Sequence, residues 1–585
     1  MKRIFLVFVA IAGILTAQNN NPEITASEIK EHITYLASDE LEGRMTGTPA
    51  LYKAAEFLKK EFESYGLKPL FNGSYFQEFP FMEKLEFGDN ALTFTVDGKE
   101  KSFELSKDFT ALGFTDNTTV KGNIVFAGYG ITAKDLNYDD YANIDVKDKI
   151  VVVFRNHPDM KSPHSKFDSY SSLRYKTTTA RDNGASGIIF LNTKDNKEDA
   201  LVEFKYDNAA KITGISAVSV KRESLSFIPL HDLQNQIDSM LSPKSYLLES
   251  GKSASITTEV NEVRGKSVNV GAYLEPGNEK FKDEYLLLGA HFDHLGWGGQ
   301  NSLYMGEPSI HNGADDNASG TTGLLELAEK FASIKNQLNR KIVFIAFSGE
   351  ELGLLGSSYV ANNFPLPIEN DITMINMDMI GRLNDKNDLI VYGTGTSSKW
   401  KNILDNKNEY DLNLTFNDEG FGPSDHSSFY GKKVPVLFFF TGTHSDYHKP
   451  SDDADKINAA GQEKILNFVY DVALTIVNSE TRPDYISVER KDTGKMTGTK
   501  VYVGTVPDFA GEVDGYKLGG VTYGSPAAKA GLQAGDIITQ FGEKKISNIY
   551  DFTYALGNYV LGDKVKVLVK RGEKELTFEI ELGLR

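Results

Sequence analysis

The chain has 585 residues, a formal net charge of −18 and no cysteine. That length exceeds one ordinary core and implies two to four domains. An acidic balance spread along the chain excludes a nucleic-acid partner, which needs a basic face; without cysteine there are no disulfides, no thiolate nucleophile and only N and O donors for a metal.

Lys2-Arg3, the apolar run Ile4–Leu15 and the small residue Ala17 predict a signal peptide over residues 1–17, too short for a comfortable membrane span. No cysteine follows to take a lipid, and no later stretch is apolar enough to span a bilayer. The expected location is periplasmic or secreted. Thr25 and Glu28 form a capping box for a helix with Ile29, Ile33 and Leu36 on one face. The turn Glu42–Pro49 leads to a second helix carrying Leu51, Ala55, Leu58 and Phe62, ended by Gly66. Short alternating strands follow from Tyr75 to about Ala111, so residues 22–115 read as the first part of one domain.

Residues 116–260 have a different texture. Strands at Asn123–Ala127 and Lys149–Phe154, a helix at Lys176–Asn183 and the buried strand Gly184–Phe190 read as an inserted β-rich unit. From 261 to 480 the pattern is alternating strand and helix. Continuous apolar runs at Tyr285–Ala290, Lys341–Phe347, Ile372–Met377, Leu389–Tyr392 and Val434–Phe440 suit a sheet covered on both faces. This is a doubly wound α/β domain, with ligands expected at the carboxyl ends of its strands. Residues 481–500 read as a linker and 501–585 as a compact β-rich unit.

Six of the ten histidines fall between 291 and 448. Strand ends in the same region deliver His291, then Glu350-Glu351, then Asp378, then the segment that ends in His448, while Asp315-Asp316 precede a helix. Independent strands bringing imidazoles and carboxylates to one edge is a pattern that surface charge does not produce. It points to a hydrolytic metal site. One carboxylate can bridge two cations, each needing about two more ligands to leave room for water. His291, Asp315, Glu351, Asp378 and His448 supply that count for two zinc ions, and Glu350 is placed to take a proton from water as a general base.

The segments Gly289–Gly296, Gly313–Gly320, Phe347–Ser357, Ile375–Gly381, Gly422–Phe429 and Asp446–Asp453, with Leu36–Pro49 upstream, resemble the co-catalytic di-zinc aminopeptidases, the family that also holds glutamate carboxypeptidase and the transferrin receptor ectodomain. The resemblance implies that Asp315 bridges the zincs, that His291 and Asp378 complete one site, and that Glu351 and His448 complete the other. It also implies Glu350 as base and then acid, Asp293 behind His291, a cis peptide between Asp315 and Asp316, and Tyr447 as donor to the oxyanion. His294, His311, His426 and His444 match no ligand of that family. The stretches Asp139–Pro158 and Ala180–Asn192 resemble a protease-associated domain, and Gly524–Ile538 resembles a PDZ domain. The implied function is an exported aminopeptidase acting on peptides with a free N-terminus. The PDZ unit is expected either to take peptide C-termini near Tyr516–Val521 or to serve as a packing module. Alternatives on the same scaffold are a dipeptidase, a carboxypeptidase, a glutaminyl cyclase or a non-catalytic binding protein. Ser424-Asp425-His426 lacks the nucleophile elbow of a serine hydrolase. Trp297 and Tyr304 either wall a substrate pocket or pack within their own loop.

Overall fold

A computed structural model describes residues 22–584, apart from 161, 163–164, 197, 206–212, 227, 229, 244, 248–250, 279, 300, 489–500, 508–512, 522–524, 548, 557–558 and 560. The predicted signal peptide and most of the predicted linker lie outside the described residues. No described helix is long and apolar enough to cross a membrane.

Helix α1 (Ala26–Leu36) starts on the capping box: Thr25 Oγ1 accepts the Glu28 N–H at 3.3 Å and donates to its carboxylate at 2.7 Å. Helix α2 (Pro49–Ser64) has Thr48 as N-cap and proline in its first turn, where a missing N–H is harmless. Both helices bury the apolar faces read from the sequence and pack on a nine-stranded sheet.

That sheet uses β1 (Lys68–Pro69), β2 (Phe76–Phe87), β3 (Val260–Leu274), β4 (Tyr285–His291), β5 (Lys341–Phe347), β6 (Asp371–Met377), β7 (Asp388–Tyr392), β8 (Asn413–Asn417) and β9 (Val436–Phe440). The order is β1-β3-β5-β4-β6-β9-β7-β8, with β2 also on β3. Strands β5, β4, β6 and β9 are mutually parallel. The chain leaves β4 for β5 on one side and returns to β6 on the other, so the winding reverses at β4. A crevice therefore opens at the carboxyl end of β4, where His291 stands. Helices α3 (Gly320–Ser333), α4 (Leu355–Asn362), α5 (His426–Tyr430) and α6 (Ala459–Asn478) complete this doubly wound layer.

The inserted unit has its own nine-stranded sheet and its own core around Phe126, Val152, Ile189 and Val218. Strands upstream of residue 116 also join this sheet. Ala91–Val96 and Lys99–Phe103 pair into this sheet through Lys252–Thr258, and Phe109–Ala111 pairs with Ser216–Val220. Alternation identifies these stretches as strands but does not name a partner, and their partners lie far downstream.

The C-terminal unit forms a separate sheet in which Tyr516–Val521 lies between Thr505–Pro507 and Ile537–Phe541. Tyr516 and Lys517 pair with Ile538 and Ile537, and Leu518, Gly520 and Val521 pair with Thr505–Pro507, so the segment is a strand inside the sheet. Among the described residues the sheet ends at Thr505–Pro507 on one side and at Lys574–Glu581 on the other.

Candidate metal centre

Each strand end delivers its residue through an identifiable local device. Parallel register sets His291 beside Phe347, so the turn after β5 places Glu350 and Glu351 next to the imidazole. Asp378 follows β6 directly, its N–H donating to Phe439 O at 3.2 Å. The loop before α3 turns at Gly313, where φ is +57°; a Cβ there would lie 2.2 Å from Asp316 O and 2.5 Å from the His294 ring. Buried Asp452 then accepts both the Asp315 and Asp316 N–H groups through Oδ2, at 2.9 and 3.1 Å.

With their backbone held this way, the two aspartates diverge. Asp316 Oδ1 lies 3.4 Å from His291 Nε2, and Asp316 Oδ2 lies 3.2 Å from His448 Nε2. His291 Nε2 is also 3.4 Å from Asp378 Oδ1, and His448 Nε2 is 3.3 Å from Glu351 Oε2. Asp315 points elsewhere: its Oδ1 accepts the Gly381 N–H at 2.7 Å and its Oδ2 lies 3.1 Å from His444 Nε2. It is thus Asp316, and not Asp315 as expected, whose two carboxylate oxygens face the two imidazoles. The cis peptide is likewise one residue further on, between Asp316 and Asn317.

The imidazoles are oriented from behind. His291 Nδ1 faces the Asp293 carbonyl oxygen at 3.2 Å, with Asp293 Oδ1 at 3.7 Å, and His448 Nδ1 faces Asn301 O at 2.7 Å. A carbonyl partner fixes the proton on Nδ1 and leaves the Nε2 lone pair for a cation. Asp293 accepts the Thr46 hydroxyl at 2.8 Å and the Glu350 N–H at 3.2 Å. Ser424 donates to Asp378 Oδ2 at 2.7 Å, leaving Oδ1 buried without a hydrogen-bond partner among the described residues. Glu350 Oε2 stands 4.0 Å from His291 Nε2. The Tyr447 ring stacks on His448 with centroids 3.9 Å apart. Trp297 and Tyr304 are half exposed on the loop whose Leu303 N–H donates to His448 O.

Three comparisons bear on this arrangement. A family model described as peptidase family M28 matches residues 269–473, with models for a PA domain on 111–226 and a PDZ domain on 488–582. Residues 269–473 form a domain of peptidase family M28. Among similar proteins, aminopeptidase YwaD of Bacillus subtilis is 25% identical over 380 residues, covering 61% of this chain and 68% of that protein. A probable zinc metalloprotease of Pyrenophora teres is 41% identical over 99 residues, which is 17% of this chain and 20% of that relative. A solved aminopeptidase from Aneurinibacillus sp. strain AM-1 aligns at 23% identity and TM-score 0.49, over 80% of this chain and 97% of that one. The α/β peptidase fold with inserted PA and C-terminal PDZ units, expected from the sequence, is therefore borne out.

The electrostatics of the M28 site show what its donors lack. Asp316, Glu350 and Glu351 share one buried space with Asp378. Burial alone would lower the His291 imidazole, but Asp378, Glu350 and the neighbouring aspartates outweigh it and hold its pKa well above the usual range. His448 behaves alike: burial opposes the charge, Asp316 and Glu351 favour it, and its pKa rises to about 10. Burial would raise Asp316, yet the two imidazoles hold it well below the usual carboxylate range. Burial, together with Glu351, Asp378 and Asp425, pushes Glu350 well up against the pull of His291. Clustered acids that force imidazoles to carry positive charge form a site with a deficit of cation. The N and O donors fit zinc.

Sequence reasoning missed Asp316 as the shared acid, and it missed the brace behind the site. Arg44, fully buried, donates to the carbonyls of Phe292, Asn312, Gly313 and Leu36. It therefore ties the exit of β4 to the loop that carries the aspartates. The signal was available: Arg44 and Thr46 lie in the upstream segment that matched the family without any assigned chemistry.

Proposed function

We propose that this chain is an exported aminopeptidase with two zinc ions bridged by Asp316. The observation that carries the reading is that the two Asp316 oxygens face two different imidazoles. His291 and Asp378 would hold one ion with Asp316, and Glu351 and His448 the other. Zinc bound there supplies a water of lowered pKa and polarises the scissile carbonyl.

The remaining steps belong to the protein. Glu350 lies within reach of the His291 side of the site, is no metal donor, and has a raised affinity for a proton. It removes a proton from the attacking water and returns one to the departing amine as the C–N bond breaks, which needs a carboxyl poised near working pH. Tyr447 keeps its hydroxyl protonated, since burial and the surrounding acids raise its pKa. It can donate to the oxyanion as charge develops. Asp293, Thr46 and Arg44 orient and brace. In the PDZ unit, an extended peptide would add at the Thr505–Pro507 edge.

Export follows from the amino-terminal pattern alone. The deciding experiment is a panel of aminoacyl-nitroanilides, dipeptides and carboxypeptidase substrates assayed before and after chelation, with zinc added back. Release of N-terminal residues, lost on chelation and restored by about two equivalents of zinc, is the expected result. Cleavage confined to C-terminal residues, or hydrolysis indifferent to chelator, would overturn the reading.

A further inference from the structure

His294 is the third imidazole at this centre and no ligand of the resembled family corresponds to it. It is 1% exposed. Its backbone N–H donates to Arg44 O at 3.2 Å, and its ring packs against Gly313, where any side chain would collide with it. It meets the His448 ring edge to face, with centroids 5.9 Å apart. His294 Nδ1 stands 2.7 Å from Glu351 Oε1 and 3.9 Å from Asp316 Oδ2. Nε2 is buried with no hydrogen-bond partner among the described residues.

His294 could therefore serve as a fourth donor to the ion of the His448 side or as a brace on Glu351. Spacing separates the two roles. Donors around a tetrahedral zinc with bonds of about 2.0–2.1 Å stand about 3.3 Å apart. The pairs His291–Asp316, His291–Asp378, His448–Asp316 and His448–Glu351 lie at 3.4, 3.4, 3.2 and 3.3 Å, which matches. The His294–Glu351 pair is much closer, at the length of a charge-assisted hydrogen bond. The two Glu351 oxygens are also divided: Oε1 faces His294 and Oε2 faces His448.

We infer that His294 is a positioning residue, donating Nδ1–H to Glu351 Oε1 so that Oε2 is presented to the metal beside His448. This rests on the two-metal reading. A carboxylate free to rotate can chelate with both oxygens or swing toward solvent. One held by an imidazole binds through a single, fixed oxygen, and loss of such an outer partner typically costs about 10–100-fold in metal affinity.

The test compares the full chain with His294→Ala and His294→Asn. The asparagine amide nitrogen falls near the place of Nδ1 and keeps a donor to Oε1. Zinc is titrated against a competing chelator, and the number of imidazoles per zinc is read by X-ray absorption. The expected result is that one of two zinc equivalents binds about 10–100-fold more weakly in His294→Ala. In His294→Asn it should stay within a few-fold of wild type, with the imidazole count equal in all three. Wild-type affinity for both equivalents in His294→Ala would overturn the inference. So would loss of an imidazole from the zinc shell in His294→Ala, which would make His294 a ligand. If His294→Ala does not fold, a folded His294→Asn chain that loses the equivalent also overturns it. A wild-type chain that binds no zinc would instead bring down the two-metal reading, and is seen in the first titration.

Discussion

Two adjacent buried aspartates face different partners, Asp316 the imidazoles of His291 and His448 and Asp315 the Gly381 N–H and His444. Asp316→Asn removes the charge that faces both imidazoles at 3.4 and 3.2 Å. A unit charge pair about 3.3 Å apart is worth about 5 kcal/mol at an effective dielectric near 20. A divalent ion sits closer and carries more charge, so each site loses at least ~4 kcal/mol, or about 10³-fold in affinity. Both zinc equivalents should leave together. Asp315→Asn keeps an oxygen for the Gly381 N–H and loses only the charge opposite His444. It should retain both equivalents and lose about 1–3 kcal/mol of stability, the cost of weakening buried charge-assisted bonds. Metal content by mass spectrometry after dialysis, with a denaturant melt of the same samples, measures both quantities. Two retained equivalents in Asp316→Asn, or two lost in Asp315→Asn, would refute the assignment of the bridge.

Glu350→Gln should keep zinc and lose about 10²–10⁴-fold in kcat; a kcat near wild type on an aminoacyl-nitroanilide removes Glu350 from proton transfer. Arg44→Ala leaves four carbonyls without their donor and opens a buried space, so it should destabilise the chain by at least ~3 kcal/mol in a denaturant melt, whereas Thr46→Val, which removes one hydroxyl from Asp293, should cost only about 1–2 kcal/mol. Equal effects would mean that Arg44 does not carry the loop. Metal-free protein should also report the imidazole charge. The pKa of His448 is raised from 6.5 to about 10 by Asp316 and Glu351 against the opposing effect of burial. A raised folded pKa contributes stability that is complete below the unfolded value and is lost as pH climbs through the folded one. The chelated chain should therefore melt lower at pH 10 than at pH 6, with the difference reduced in His448→Gln. A flat profile over that window would contradict the charge assignment.

Much of the centre is legible in the sequence alone. His291, Glu350, Glu351, Asp378 and His448 each follow an apolar run or a sharp turn, and residues at the carboxyl ends of parallel strands converge by the geometry of the sheet. The helix caps at Thr25 and Thr48 were legible for the same local reason. What was not legible depends on contacts between distant segments. Ala91–Val96 reads as a strand, but its pairing with Lys252–Thr258 follows from a partner the local pattern does not contain. Tyr516–Val521 could not be recognised as an interior strand until both its neighbours were in place.

The sequence by itself determined the available chemistry: a set of imidazoles and carboxylates, with no thiols. Tertiary structure decided which atoms of that set face inward. Asp315 and Asp316 have the same side chain and are both buried, so side-chain chemistry does not distinguish them. The distinction comes from Asp452, which holds both backbone N–H groups from more than a hundred residues away, and from Gly381 and His444, which take Asp315 out of the site. A carboxylate becomes a bridge by where its neighbours turn it, and those neighbours are assembled only when the chain has folded.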